Sequence, residues 1–327
     1  MARGCRRITV CSVLLAAALA ASLPAAARAA GTAPLETLEP GRLKVCLYAG
    51  FAPFASKDDK GRWQGWDVDY LEAFATANHL ELVPVERNFD GIWLEPGDKA
   101  CDIAATGISD TEDRRKATGA GAVWSNTYYG VVRTFLVRTE QFAKLARIDD
   151  LSGKTVIVTK GSTANSDICY RMAASNLHPC EKPGGDRSCA FPGFDFKYPS
   201  RSQDPRCVYI DYPRDNEEKN AAADVANSRD FSTFAYGGGY GSVQGLVCEW
   251  GKTQALATVW PHCNMSSDRK RAFAEPFSFV VRAEDKGLAH ALNCYIDLPS
   301  HRYEGTPIPD LGCPSPPWTP APDKACP

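Results

Sequence analysis

The chain has 327 residues, of which 44% are hydrophobic and 23% are charged, as in ordinary globular proteins. Its 37 Lys and Arg residues nearly balance its 39 Asp and Glu residues, so the formal net charge is only −2. This balance excludes the bulk basic charge that attracts nucleic acid or anionic lipid, and the length favours two domains over one.

The first 29 residues have the pattern of a secretory signal peptide. Three arginines precede an apolar run at residues 8–23, and residues 27–29 (ARA) match an A-x-A cleavage site. The run is shorter than the ~20 uninterrupted apolar residues that a membrane helix needs, so we expect cleavage near residue 29 and no retained anchor. The sequence therefore predicts a periplasmic protein that is not inserted in the membrane after cleavage.

Short strands alternate with amphipathic helices after the predicted signal peptide. Apolar runs predict strands at residues 43–48, 82–85 and 102–105. Asp67 is expected to be the N-cap of a helix whose apolar residues share one face. This alternation is typical of an α/β lobe built on parallel strands, and we assign residues 30–131 to the first part of lobe 1.

The same pattern starts again near residue 150, which places lobe 2 at residues 132–279. Its predicted elements are strands at 155–158 and 231–235 and helices at 161–174 and 220–226. Residues about 165–215 are rich in Cys, Pro and Gly and poor in periodic apolar residues. We expect there a disulfide-stapled insertion with little regular structure.

The last part of the chain is expected to return to lobe 1 at residues 280–327. A strand is predicted at 277–282 and a helix at 288–296. From residue 307 the chain is rich in proline and carries two further cysteines. We expect an extended tail pinned by disulfides.

Cysteine is unusually abundant in this chain. Of 13 cysteines, two lie in the predicted signal peptide, which leaves 11 for an oxidising compartment, where disulfides are the default. Cys46 and Cys101 both open predicted strands and form a reasonable pair, but the full connectivity stays open. No C-x-x-C occurs and the five histidines are scattered, so we expect no metal site and no cofactor.

A set of short motifs resembles the extracellular solute-binding proteins of family 3, which serve polar amino-acid ABC transporters. The matching stretches are 41–45 (GRLKV), 51–54 (FAPF), 65–69 (GWDVD), 101–109 (CDIAATGIS), 111–114 (TEDR), 125–129 (SNTYY), 150–154 (DLSGK) and 161–163 (GST). The resemblance implies a type II periplasmic-binding-protein fold, with two lobes, each a mixed sheet flanked by helices. Two crossover strands, near 130–136 and 277–281, would join the lobes and act as the hinge.

The resemblance also implies a site for a ligand carboxylate between the lobes. Arg114 matches the carboxylate-binding arginine of the family, and its planar guanidinium suits a carboxylate. Two loops at helix starts would add hydroxyl and amide donors. Their candidate residues are Thr106 and Ser109 in lobe 1 and Ser162 and Thr163 in lobe 2. Each of these also fits ordinary helix capping.

The other half of the expected site departs from the family. Phe51 matches a ring-stacking position, but the acidic residues that hold an α-amino group are replaced by Tyr48 and by Ala235 or Tyr236. Either Asp90 or Asp110 takes their place, or the aromatic residues face an apolar or quaternary-ammonium group instead. The aromatic candidates are Tyr48, Phe51, Trp93 and Tyr236.

Three functions remain open at the level of sequence. The first is a monomeric, non-enzymatic binding protein that presents a small polar solute to an inner-membrane ABC permease. The second is a periplasmic cyclohexadienyl or prephenate-type dehydratase on the same fold, with Asp90, Asp110 or Glu112 as the general acid. The third is an accessory or sensory partner of another periplasmic protein, using the Cys-rich insertion and the tail as a docking surface.

Overall fold

A computed structural model of the protein describes residues 35–131, 133–180, 206–228, 233–237, 256–259 and 275–298. The predicted signal peptide, the middle of the Cys-rich insertion and the Pro-rich tail lie outside these ranges. Within the described ranges, no helix is both long enough and apolar enough to cross a bilayer.

The described residues form short strands and helices that alternate along the chain. The strands are β1 (Arg42–Leu47), β2 (Gly50–Phe51), β3 (Ala55–Lys57), β4 (Trp63–Gln64), β5 (Glu81–Glu86), β6 (Ile103–Ala104), β7 (Ala122–Trp124), β8 (Tyr129–Val131), β9 (Thr134–Arg138), β10 (Thr155–Ile157), β11 (His178–Cys180), β12 (Cys207–Asp211), β13 (Thr233–Gly237), β14 (Leu256–Val259), β15 (Glu275–Phe277) and β16 (Val280–Arg282). The helices are α1 (Trp66–Ala77), α2 (Glu112–Thr118), α3 (Thr163–Ala174), α4 (Glu218–Asn227) and α5 (Lys286–Asp297).

Lobe 1 is built on a five-stranded sheet with the order β5-β1-β6-β16-β7. β1 is parallel to β5 and β6, whereas β16 is antiparallel to β6 and β7, so the sheet is mixed. The consecutive residues Val45, Cys46 and Leu47 of β1 are fully buried, as expected for a central strand covered on both faces. A disulfide joins Cys46 to Cys101, which confirms the pair that the sequence suggested.

Helix α1 begins at Trp66, two residues earlier than an N-cap at Asp67 would allow. Its N-cap is Gly65, which has φ +124, and no side chain caps the helix there. The expectation that Asp67 is the N-cap is therefore wrong. Asp67 lies inside the first turn, fully buried, because its carboxylate accepts hydrogen bonds from the loop that follows β6.

Lobe 2 is built on a six-stranded mixed sheet with the order β11-β12-β10-β13-β9-β14. Successive residues of β9 enter different hydrophobic clusters, since Phe135 packs in one and Leu136 in the other. This alternation marks the two faces of the sheet. Ile168 of α3 belongs to the first cluster and Val225 of α4 to the second, so the two helices cover opposite faces. The predicted α/β class, with a mixed sheet flanked by helices in each lobe, is thereby confirmed.

The chain passes between the two sheets twice, through a two-stranded antiparallel ribbon made of β8 and β15. β8 leads directly into β9 of lobe 2, and β15 leads back into β16 of lobe 1. The single strand expected at 277–282 is in fact two strands. The strand is interrupted because the amide of Ser278 bonds the Ile108 carbonyl and that of Phe279 bonds the Ser125 hydroxyl.

Regular structure extends further into the Cys-rich segment than the sequence predicts. Beyond the helix predicted at 161–174, the interval 165–215 was expected to be irregular, yet it contains the paired strands β11 and β12. A disulfide between Cys180 and Cys207 joins these two strands. The periodicity was masked because β11 is only three residues long and contains a proline, which is tolerated in an edge strand.

Candidate ligand-binding site

A cleft between the lobes is lined from both sides and from the connecting ribbon. The lining residues are Tyr48, Phe51, Phe89, Gly107 and Ser109 of lobe 1, Thr159, Ser162, Thr163, Ala164 and Glu218 of lobe 2, and Glu275 and Phe277 of β15. Most lie just beyond the carboxyl ends of β1, β6, β10 and β12. Open α/β sheets bind ligands at this edge, where polar groups of strand ends and helix starts meet.

Arg114 of α2 spans the gap between the lobes beside this cleft. Its Nη1 donates to the carbonyl oxygen of Ser109 at 2.9 Å, and its Nη2 donates to that of Gly161 in lobe 2 at 3.0 Å. The guanidinium carbon lies 4.2 Å from the centroid of the Trp93 ring. The residue is only 6% exposed.

The charge of Arg114 survives this burial. Burial lowers the pKa of its guanidinium to about 10, and the nearby acids Glu275 and Asp90 oppose that shift. The side chain is therefore a buried cation at neutral pH. Its planar set of five N–H donors is suited to a carboxylate.

Ser109 and Thr163 meet across the cleft next to Arg114. Their hydroxyl oxygens are 3.5 Å apart, one in each lobe. Thr163 is the first residue of the 12-residue helix α3, where backbone N–H groups point outward. Ser162 also lines the cleft, and its hydroxyl accepts from the amide of Asn165, as a helix cap does.

Thr106 supports the loop after β6 and is not among the residues that line the cleft, so its role as a ligand contact stays a prediction. It has φ +92, and its hydroxyl accepts from the amide of Tyr48 at 3.0 Å. Its own amide donates to Asp67 Oδ2 at 2.7 Å, beside the bond from Gly107 at 2.8 Å. The Tyr128 hydroxyl is a third donor to the same oxygen. Asp67 thus holds the segment that presents Ser109.

The four aromatic candidates do not form one cage. Phe51 and Tyr48 line the cleft, but the Tyr48 hydroxyl donates to the carbonyl of Asn216 in lobe 2. The ring of Trp93 packs on the Arg114 guanidinium. Tyr236 lies in the core of lobe 2, where its hydroxyl donates to Asp167, and it is not among the residues that line the cleft.

Glu218 is the cleft residue that sequence reasoning missed. It is the first residue of α4 and is only 4% exposed. Its Oε2 has no hydrogen-bond partner among the described residues, and burial raises its pKa to about 8. A signal for it exists in the sequence, because Ala221, Ala222 and Val225 follow at helical spacing and place Glu218 on the buried face of α4.

No group of three or more His, Cys, Asp or Glu side chains in the described ranges could hold a metal ion. The one helical-spaced pair, His290 and Cys294, has its Nε2 and Sγ atoms 3.7 Å apart on α5. The polar groups of the cleft are instead a guanidinium, hydroxyls and carboxyls. Such groups bind an organic ion directly.

Solved structures with the same arrangement define the fold class as the type II periplasmic-binding-protein fold. The arginine-bound form of truncated ArgBP from T. maritima aligns with a TM-score of 0.53, over 78% of this chain and 94% of that one. The sequence identity of this pair is 21%, so the likeness carries the fold alone.

Sequence comparison identifies the family of the chain as well as its fold. The sequence model of the bacterial extracellular solute-binding proteins, family 3, matches residues 43–298, and the chain belongs to this family. A probable histidine-binding protein of Neisseria gonorrhoeae is 29% identical over 168 residues, which are 50% of this chain and 60% of that protein. The cyclohexadienyl dehydratase of Pseudomonas aeruginosa is 28% identical over 128 residues, 38% of this chain and 46% of that enzyme. The chain thus spans about half the length of these relatives.

Proposed function

We propose that the protein captures a small carboxylate-bearing solute, an amino acid or a similar compound, and presents it to an inner-membrane ABC importer. The observation that carries this proposal is the convergence of Arg114, Ser109 and Thr163 beside one interlobe cleft. A buried guanidinium with hydroxyl donors from both lobes is a suitable receptor for a carboxylate.

The present partners of Arg114 explain how a ligand would compete for it. The guanidinium bonds two neutral carbonyl oxygens, those of Ser109 and Gly161. A carboxylate is a charged acceptor, and charge-assisted hydrogen bonds are about twice as strong as neutral ones. A solute carboxylate would therefore replace at least one carbonyl and still join the lobes.

Closure around the solute would follow from the connections between the lobes. The two sheets are linked through the short ribbon β8–β15, and two-lobed binding proteins close by hinge motion at such crossings. The polar contacts between the lobes join Tyr48 to Asn216, Ser109 to Thr163 and Arg114 to Gly161. The relatives named as histidine- and arginine-binding proteins support an amino-acid ligand. We propose a periplasmic monomer that works after removal of the signal peptide.

The test is a titration calorimetry screen of the purified mature protein. The probes are the twenty common L-amino acids and their carboxamides, in which the carboxylate is neutralised. We expect at least one acid to bind, and its amide to bind about 10-fold to 100-fold more weakly, the loss of one charge-assisted bond. Equal affinity for acid and amide would refute the carboxylate site.

A dehydratase is the second candidate, and Glu218 is the observation that favours it. With its pKa near 8, this cleft residue carries a proton at neutral pH, as a general acid must. Two of the three acids expected from sequence are less suitable, because Asp110 is ion-paired with Arg115 and Glu112 with Lys116. Incubation with prephenate discriminates the two functions: turnover that Glu218→Gln abolishes would establish the enzyme, and no turnover would leave the binding protein.

A further inference from the structure

Two carboxyl groups line the same cleft as Ser109 and Thr163. Glu218 enters from α4 and Glu275 from the ribbon strand β15. Neither lies at a position where the family resemblance places an acid. These two side chains are the candidates for holding a positive group of the solute.

Glu275 already has positive neighbours. Its Oε1 lies 3.4 Å from Arg133 Nη1, and its charge also acts on Arg114. Glu218 differs, since its Oε2 is buried in the cleft and has no hydrogen-bond donor among the described residues. The Tyr48 hydroxyl cannot supply one, because its single proton is donated to Asn216. Glu218 is therefore the acceptor that a ligand would satisfy.

We propose that Glu218 binds the α-ammonium group of the solute and replaces the acidic anchors that are absent at Tyr48 and at Ala235 or Tyr236. The inference rests on the proposed function and specifies its substrate class, a free α-amino acid. A buried acceptor without a partner costs about 1 to 3 kcal/mol, which a ligand N–H relieves. A primary ammonium has N–H donors, whereas a quaternary ammonium has none, so Glu218 discriminates against betaine-like solutes.

Proton release accompanies binding in this arrangement. Glu218 is protonated below pH 8, since burial raises its pKa, and an ammonium group favours the carboxylate form. Affinity should rise by up to about tenfold per pH unit from pH 6 to 8, because binding then requires deprotonation. The neighbouring charges are fixed in pairs: Glu217, the N-cap of α4, with Lys219, and Glu275 of β15 with Arg133. Arg114 keeps its charge over this range, and Tyr48 stays neutral because burial raises its pKa.

Glu218→Gln is the decisive variant, and Glu217→Gln is its matched control. The two glutamates are adjacent, but Glu217 is already paired with Lys219 at 2.7 Å. Binding of the twenty L-amino acids, their Nα-acetyl derivatives and glycine betaine is measured by calorimetry at pH 6, 7 and 8. Buffers of different ionisation enthalpy report the protons released. Thermal melts confirm that both variants are folded.

The expected result has three parts. The wild type and Glu217→Gln bind a free amino acid at least tenfold more tightly than its Nα-acetyl derivative, and they release up to one proton per ligand at pH 7. Glu218→Gln loses that preference, the proton release and the pH dependence. Retention of all three by Glu218→Gln would overturn the inference, as would betaine affinity equal to that of amino acids in the wild type.

The two proposals fail in different ways. If no carboxylate-bearing probe binds the wild type, the proposed function fails and the inference falls with it. If acids bind and their amides do not, but acetylation of the amine changes nothing, the binding function stands. In that case only the role of Glu218 is refuted.

Discussion

Arg114 of lobe 1 donates a hydrogen bond from Nη2 to the carbonyl oxygen of Gly161 in lobe 2, over 3.0 Å. Its Nη1 bonds the carbonyl of Ser109 in its own lobe. One buried cation thus contacts both sides of the cleft at the place where a ligand carboxylate is expected. Ligand binding and closure of the lobes should therefore depend on the same side chain.

Replacement of Arg114 by Lys should weaken binding of an acidic solute about 10-fold to 100-fold. Lysine keeps the charge but loses the planar pair of donors, and each charge-assisted bond contributes about 1.5 to 3 kcal/mol. The matched control is Arg115→Lys, on the same helix, whose partner is Asp110 at the surface. Calorimetry with the best-bound amino acid measures both. Equal losses in the two variants would contradict the assignment.

Replacement of Gly161 by Ala should impair closure. Gly161 has φ +76, and an added Cβ would lie 2.5 Å from Asp90 Oδ1 and 2.8 Å from its Cβ in lobe 1. Overpacking of about 1 to 3 kcal/mol corresponds to an affinity loss of about 5-fold to 150-fold. We expect this loss in ligand affinity, measured by calorimetry, to exceed any loss in thermal stability.

Gly153 provides the control for Gly161→Ala. It has a similar φ of +72, but an added Cβ would meet nothing within 4 Å. Gly153→Ala therefore carries the backbone strain of about 1 kcal/mol without the clash. Normal affinity in both variants would show that the contact with Asp90 is not needed for binding.

The fold of this chain was predictable because the spacing of apolar residues along the sequence specifies its strands and helices. The apolar run of β1 and the helical spacing of Val68, Leu71 and Phe74 are visible in the sequence, and they specify buried faces. The pairing of Cys46 with Cys101 was also accessible, since Cys46 lies in β1 and Cys101 just before β6, and these two strands lie side by side. Strand ends were less predictable, and the break at Ser278 depends on hydrogen bonds to distant residues.

The candidate site was only half predictable from sequence. Arg114, Ser109 and Thr163 lie in motifs whose order along the chain is informative, and the structure brings them together. Tyr236 packs in the core of lobe 2 because β13 is covered on both faces, so that Ala235 and Tyr236 enter two different hydrophobic clusters. Glu218 was missed because it follows a charged run that is typical of a solvated helix start.

Removal of the disulfide between Cys46 and Cys101 should lower the free energy of unfolding by about 4 kcal/mol. The two cysteines are 55 residues apart, and closing a loop of that length restricts the unfolded chain. The Cys46→Ala and Cys101→Ala double variant is compared with the wild type by urea unfolding, with and without reductant. The difference should shrink under reducing conditions. A difference that persists in full would assign the loss to side-chain packing.

Asp67 should make the stability of lobe 1 depend on pH. Burial raises its pKa to about 7, although the amides of Gly107 and Thr106 and the Tyr128 hydroxyl oppose the shift. All three of these donors bond Oδ2, so the buried Oδ1, which has no partner among the described residues, adds nothing that would stabilise the ionised form. The folded state then holds the proton more tightly than the unfolded state, whose pKa is about 3.9. The stability from this group is complete below pH 4 and is lost as the pH rises through 7.

Asp67→Asn removes this titration, and Asp69→Asn is its control in the same turn of α1. Asp69 is exposed, so its replacement should leave the pH profile unchanged. Urea unfolding at pH 4.5, 6 and 7.5 measures the free energy of unfolding of the wild type and of Asp67→Asn. The titration of Glu218 contributes equally to both proteins, so it cancels in the difference between them. We expect this difference to fall on the order of 1 to 4 kcal/mol across the range. A flat difference would mean that Asp67 is ionised in the folded protein, and that its hydrogen bonds to the loop after β6 outweigh the cost of burial.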